Sequence, residues 1–243
     1  MTALIIISVL FFILFVFYTF LLRKYNSIFV HIHEHDPKLH SAVKVSVIIP
    51  ARNEEKNIGA CLDALQQQAG INAEPEIIVV DDHSDDQTSS IALSKCVTVI
   101  SLKDEKLEST VAFKKMALAT GIRYATGDII LTTDADCIVP PDWIHTMTGV
   151  MSETKALMVT GPVRMVPSHT LVSRFQSLDF AILQGITAAS VHSGYHDMSS
   201  GANLGYQKKA FYEVNGFRGI DDIATGDDML LMQKFSRRFP GRI

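Results

Sequence analysis

Two periodicities alternate along this chain. After an unbroken apolar run at residues 3 to 22 and a polar stretch to residue 42, short β-branched runs recur: VKVSVII at 43 to 49, EIIVV at 76 to 80, VTVIS at 97 to 101 and DIILTT at 128 to 133. These runs are apolar enough to be buried on both faces, as strands of a parallel sheet are. Between the first two, Ile58, Leu62, Leu65 and Ala69 recur at helical spacing, with Asn53 as the expected N-cap and Gly70 beyond the end. SSIALSK and VAFKKMALATGIRYA supply two more helices, the latter closed by Gly127. Such alternation predicts an α/β, doubly wound, Rossmann-like sheet, mostly parallel and flanked by helices.

Beyond residue 140 the alternation is less regular. PPDWIHTMTGVM predicts a helix with proline in its first turn, KALMVTGPVRMV another strand, and residues 168 to 198 a helix. SSGANLGYQKKAFYEVNGF reads as a glycine-marked loop or strand leading into a short helix, and GDDMLLMQKFSRRF as a helix that opens on two carboxylates.

The first run changes the class of protein. ALIIISVLFFILFVFYTFLL has no charge, and as a helix it matches the roughly 30 Å hydrocarbon thickness of a bilayer. With no basic start and no small-residue cleavage site, it reads as an N-terminal transmembrane helix rather than a signal peptide. Arg23 and Lys24 follow it and nothing basic precedes it, so the positive-inside rule places the remainder in the cytoplasm. The expected organisation is an anchor at 1–24, a juxtamembrane linker at 25–42 and a single domain at 43–243. His31, His33 and His35 alternate within the linker as metal ligands sometimes do, but Pro37 follows at once and no element fixes the rings, so linker is the better reading.

Composition narrows the partners. A hydrophobic content of 47% excludes a disordered chain, and a net charge of −4 provides no basic field for nucleic acid. Cys61, Cys96 and Cys137 are scattered and odd in number, which argues against a disulfide framework or zinc ribbon and fits a reducing compartment.

Ligands of open parallel sheets sit outside the carboxyl ends of the strands. Here the first, second and fourth strands run into PARNEE, DDHSDD and DADC. Carboxylates so crowded repel one another unless a cation compensates. Mg²⁺ or Mn²⁺, which bind through one or two carboxylates plus substrate phosphates, suit the D-x-D of Asp134 and Asp136. Neither G-x-G-x-x-G nor a P-loop occurs. Lys114 or Lys115 can add a point charge to the same phosphates, although a solvated helix face explains lysines at this spacing as well. An aspartate cap on the next helix accounts for Asp85 or Asp86, but not for Asp81 and Asp82 directly after four apolar residues.

In order, VSVIIPARNEEKNI, EIIVVDDHSDDQT, KKMALATGI with ATGDIILTTDADC, SGANLGYQKKAFYEVNGF and GDDMLLM resemble the membrane-anchored family 2 glycosyltransferases. The resemblance runs from about residue 43 to the end. It implies the GT-A fold and an inverting, metal-dependent transfer of a sugar from a nucleoside diphosphate, UDP- or GDP-linked, to a lipid or polysaccharide acceptor. Pro50, Arg52 and Glu54 then border the nucleobase, and Asp81 and Asp82 bind uracil or another base and the ribose. Lys114 falls at the lysine of a G-K-x-x-A-L pattern, with Phe113 in place of the glycine. Asp134 and Asp136 match the D-x-D pair, Asp136 being the direct metal ligand. Asp228 takes the place of the general base, with Asp227 a close second.

General chemistry agrees with these roles. A bound cation stabilises the charge that develops on the leaving diphosphate, and a carboxylate at the same cleft can deprotonate an acceptor hydroxyl. One displacement inverts, and no positioned nucleophile suggests a double displacement. The family's usual Q-x-x-R-W segment is missing, so the chain reads as a form shortened at its C-terminus, expected to bind nucleotide with weak or absent transfer. The alternatives are a non-catalytic nucleotide-sugar-binding module, a phospho-receiver domain or a dehalogenase-type phosphatase. In a receiver the aspartate pair ends the first strand and a lysine follows the later aspartate; here the pair ends the second strand and both lysines precede Asp134. Cys137 and the late position of the D-x-D count against the phosphatase.

Overall fold

A computed structural model describes residues 2–30, 43–71, 73–104, 112–195 and 198–243. His31, His33 and His35 lie outside these residues. The elements run α1 (Thr2–Val30), β1 (Val45–Ala51), α2 (Ile58–Gln66), β2 (Glu76–Asp81), α3 (Thr88–Ser94), β3 (Thr98–Ser101), α4 (Phe113–Tyr124), β4 (Ile129–Thr132), α5 (Trp143–Thr154), β5 (Met158–Thr160), α6 (Leu171–His192), a 3₁₀ turn (Gly201–Asn203), β6 (Leu204–Gln207), α7 (Lys208–Glu213) and α8 (Asp227–Arg238).

The strands form one six-stranded sheet in the order β3-β2-β1-β4-β6-β5. β1 to β4 are parallel, as expected, and β6 runs antiparallel to both its neighbours. In the β1–β2 ladder Ser46 is level with Glu76 and Ala51 with Asp81, so both strands end together. The segments after them, which begin with Arg52 and Asp82, therefore leave the sheet side by side. β1, β2 and β4 are buried along almost their whole length, as strands covered on both faces are. Val47, Ile49, Leu62 and Leu65 are fully buried in the cluster that joins β1 to α2, where truncating such a side chain to alanine costs about 2–5 kcal/mol.

Several local expectations are corrected. Asn53 is not the cap of α2, which starts after Asn57; with φ at 55° it instead accepts a hydrogen bond from the Asp85 amide at 2.9 Å. Pro140 and Pro141 precede the first turn of α5, because Asp142 holds the N-cap position. The strand expected over 155 to 166 is confined to Met158–Thr160, since Gly161 and Pro162 follow and proline cannot donate to a ladder. α4 stops at Tyr124, short of Gly127; the Gly127 amide donates to Ser46 Oγ at 2.8 Å, tying the approach to β4 onto β1.

The chain divides into two compact units, α1 with Arg164–Tyr195 and the sheet domain. Within the first, α1 continues past Lys24 to Val30, and Leu4–Val30 is long and apolar enough to cross a membrane by length and composition. α6 packs on α1 where Phe29 lies beside Gly185, and the Lys24 ammonium stands 5.4 Å from the centre of the Tyr195 ring. Leu171, Phe175, Leu178 and Ile182 form an exposed stripe along α6.

Candidate active site

At the end of β2 two adjacent aspartates part company, since successive side chains of a strand point to opposite faces. Asp81 turns toward α3: its Oδ1 accepts from the Ser84 amide at 3.2 Å and its Oδ2 from Ser89 Oγ at 2.5 Å. Asp82, 2% exposed, borders the cavity, held by Arg52 Nη1 at 3.3 Å and His83 Nδ1 at 2.9 Å. Asp81 thus shapes the turn and Asp82 borders the space in which a ligand can sit.

The loops after β1 and β2 are stitched together. The Asn53 amide donates to Ser84 Oγ, Glu54 N to Thr88 Oγ1 and Glu55 N to Asp86 Oδ2, over 2.7–3.0 Å. Of the two candidate caps, Asp86 does the work, accepting from Thr88 N at 2.9 Å as α3 begins. Glu54 in turn accepts from Asn57 Nδ2 at 2.8 Å.

A cavity of about 230 Å³ opens at this edge, and Pro50, Arg52, Glu54, Asp82, Phe113, Lys114, Asp134 and Asp136 all line it. Every residue expected at the donor site is therefore on its wall except Asp81. Phe113, which replaces the glycine of the pattern, faces the Arg52 guanidinium at 5.9 Å from its ring centre, a cation–π arrangement.

Lys114 and Lys115, which spacing alone did not separate, have different surroundings. Lys114 Nζ sits 2.7 Å from Asp134 Oδ1 and 3.8 Å from Asp227 Oδ2. Burial works against its ammonium form, but Asp134, Asp227 and Asp228 outweigh that and raise its pKa. Lys115 is 1% exposed and turned away to backbone carbonyls.

Asp227 and Asp228 open α8 after Gly226, whose φ of 71° is a left-handed conformation suited to glycine. Asp228 is held by two amides, Gly201 N to Oδ2 at 2.8 Å and Met229 N to Oδ1 at 2.6 Å. Gly201 was not anticipated as a site residue; a Cβ there would stand 3.1 Å from Asp227 Oδ2 and 3.4 Å from Lys114 Nζ. Asp227 Oδ2 is buried and accepts no hydrogen bond among the described residues. Burial raises the Asp227 pKa and Asp228 adds to the rise, while Lys114 opposes it. Nearby, burial pushes the thiols of Cys61 and Cys137 up to about 12 and about 11, which keeps both protonated at neutral pH and unsuited to act as nucleophiles.

Among the described residues no group of three or more His, Cys, Asp or Glu side chains is assembled to hold a metal ion. Asp134 and Asp136 border the cavity as a carboxylate pair, a donor set that fits a hard divalent ion whose remaining ligands are water and phosphate.

The model of the family described as "Glycosyl transferase family 2" matches residues 46–214, more than half of the chain. The chain belongs to this family. Among curated relatives it is 31% identical over 134 residues to a 4,4'-diaponeurosporenoate glycosyltransferase of Staphylococcus haemolyticus, covering 55% of this chain and 34% of the relative. It is 29% identical over 190 residues to the probable glycosyltransferase YdaM of Bacillus subtilis, covering 76% of this chain and 44% of that one. The chain thus spans less than half the length of either relative. Among solved structures, a mannosyltransferase from Pyrobaculum calidifontis in complex with GDP-Man and Mn²⁺ superposes with a TM-score of 0.63 at 22% identity, over 87% of this chain and 57% of that one. Residues 1–349 of TarS from S. aureus give 0.56 at 21%, over 79% and 54%. The fold is GT-A.

Proposed function

We propose that this transferase binds a nucleoside-diphosphate sugar, UDP- or GDP-linked, at the edge of β1, β2 and β4 and moves the sugar, with inversion, to a hydroxyl of a lipid or polysaccharide acceptor. One observation carries the reading: Lys114 touches the D-x-D carboxylate of Asp134 and also faces Asp227. Lys114, on the cavity wall, thus links the donor-side acids to the pair that opens α8, which stands next to the cavity without lining it. Asp82 and Arg52 take the base and ribose, and Lys114 meets the diphosphate. Asp136 and Asp134 hold Mg²⁺ or Mn²⁺, which supplies charge stabilisation to the leaving diphosphate.

Asp228 is the general base. Two amides orient it, yet a carboxylate has about four lone-pair sites, so each oxygen keeps one for the acceptor proton. Asp227, whose pKa burial raises, stands beside Asp228 and faces Lys114. α1 anchors the chain, and Arg23 and Lys24 place the sheet domain on the cytoplasmic side. The likeness of the family model and the complex of the Pyrobaculum calidifontis enzyme with GDP-Man and Mn²⁺ support the donor class.

Calorimetric titration of UDP- and GDP-sugars, with and without Mn²⁺, tests the proposal. Metal-dependent binding supports it, and the absence of binding by any nucleotide refutes it. Binding without turnover by these residues selects the reading as a binding module. The chain is similar to an undecaprenyl-phosphate 4-deoxy-4-formamido-L-arabinose transferase from Serratia proteamaculans and to a poly(ribitol-phosphate) β-N-acetylglucosaminyltransferase from Staphylococcus aureus, which makes isolated polyprenyl phosphates and polyol-phosphate polymers the first acceptors to assay.

A further inference from the structure

α4 opens with two lysines, of which the donor site uses only one. The ammonium of Lys115 is buried, 1% exposed, and donates to the carbonyls of Ile223 and, at 2.7 Å, Thr225. Both acceptors lie in the short segment that precedes Gly226 and the Asp227–Asp228 pair. Among the described residues that segment has few other ties, the Gly219 amide donating to Asp221 Oδ1 at 3.0 Å and the Ile223 amide to the Ile220 carbonyl at 3.4 Å; residues 221 to 225 are all exposed and form no helix or strand. A buried ammonium is unfavourable unless its donors are satisfied. If α4 needed only packing at this position, a methionine of similar length would fill it without the desolvation cost. The charge therefore serves the carbonyls it binds.

We infer that Lys115 is a positioning residue for the transfer step: it pins the 223–225 turn and thereby sets where Asp227 and Asp228 stand relative to the bound donor. Lys114 and Lys115 are neighbours on the first turn of α4, so the cation facing the donor and the clamp on the acceptor-side acids move as one body. Displacing a catalytic group by about 1 Å can cost on the order of a hundredfold in rate. Loss of the clamp therefore lowers turnover while the donor contacts, made by other residues, persist.

This inference rests on the proposed sugar transfer, and the test separates the two. Lys115→Met lowers kcat about 10- to 100-fold while the donor KM stays within about threefold. A groove of about 560 Å³ reaches Lys115 between α4 and residues 211 to 221, so propylammonium restores kcat to Lys115→Ala saturably and n-propanol does not. An unchanged kcat, or kcat and donor affinity falling together, overturns the inference, as does equal rescue by the alcohol. If both variants fail to fold, ¹⁵N-lysine NMR of the wild-type protein decides: a slowly exchanging ammonium coupled to the 223 and 225 carbonyls supports the clamp, and a freely exchanging one refutes it. If the wild-type protein transfers no sugar from any donor, the proposed function fails, and this NMR readout still judges the clamp on its own.

Discussion

Lys114→Met separates two roles that the wild-type side chain combines. In the ligand-free site the ammonium lies 2.7 Å from Asp134 Oδ1 and 3.8 Å from Asp227 Oδ2, with 30% of the side chain exposed. It is an internal counter-ion standing where a divalent cation would compete for Asp134. Two unit charges about 4 Å apart interact by roughly 4 kcal/mol at an effective dielectric of about 20, a gross figure that solvent at a part-exposed site reduces to about 1 kcal/mol. Removing the ammonium should therefore tighten Mn²⁺ binding to the nucleotide-free protein by roughly fivefold. The diphosphate meanwhile loses a charge-assisted hydrogen bond of about 1.5–3 kcal/mol, which weakens UDP or GDP by roughly 10- to 150-fold at saturating Mn²⁺. Calorimetry of the metal alone, and then of the nucleotide with metal present, measures both. Opposite signs are the signature. Shifts of the same sign, or a nucleotide Kd within twofold of wild type, refute the assignment of Lys114 to the diphosphate.

Three further outcomes follow from the same site. Asp136→Asn should abolish the Mn²⁺-dependent part of the thermal shift produced by nucleotide; an unchanged shift removes Asp136 from the metal. Asp228→Asn should leave donor Kd within about twofold while transfer falls on the order of 10²- to 10⁴-fold, and loss of donor binding would make it a structural residue. Phe113→Gly removes the ring facing Arg52, a contact worth about 0.5–1 kcal/mol; nucleoside diphosphates should weaken roughly two- to fivefold while inorganic pyrophosphate is unaffected.

The doubly wound sheet was legible because four β-branched runs are predominantly apolar, and the candidate site was legible because acids follow three of them. That Asp81 and Asp82 part was in principle legible too: adjacent strand residues face opposite ways, so only one of the pair can reach the cavity. The choice between Lys114 and Lys115 was not. Neighbours on a helix differ by about 100°, and which one faces the cavity depends on how α4 seats on β1 and β2, information carried by packing. β6 is only four residues long, too short for its alternation to reveal that it runs antiparallel. Gly201 escaped notice because its contribution is a backbone amide, which no residue type advertises.

Asp227 shows how the charge arrangement itself can be tested through stability. Its pKa is raised, first by burial and then by Asp228, against the pull of Lys114, so folding favours the protonated form. The folding benefit of that preference is fully present below the ordinary carboxylate range and is lost as pH rises through the raised value. At neutral pH the ionised Asp227 is therefore a cost that the fold carries beside the proposed general base. Asp227→Asn should accordingly raise Tm at pH 7, by roughly 2–4 °C for each kcal/mol recovered in a protein of this size. The gain should shrink as the pH is lowered toward the carboxylate range, where the wild-type side chain is already neutral. Because Lys114 keeps Asp134 as a partner in the variant, the ammonium is not left unpaired. A Tm that falls at pH 7, or a gain that grows on acidification, would mean that the Lys114 attraction outweighs burial and that Asp227 is a stabilising ion-pair partner.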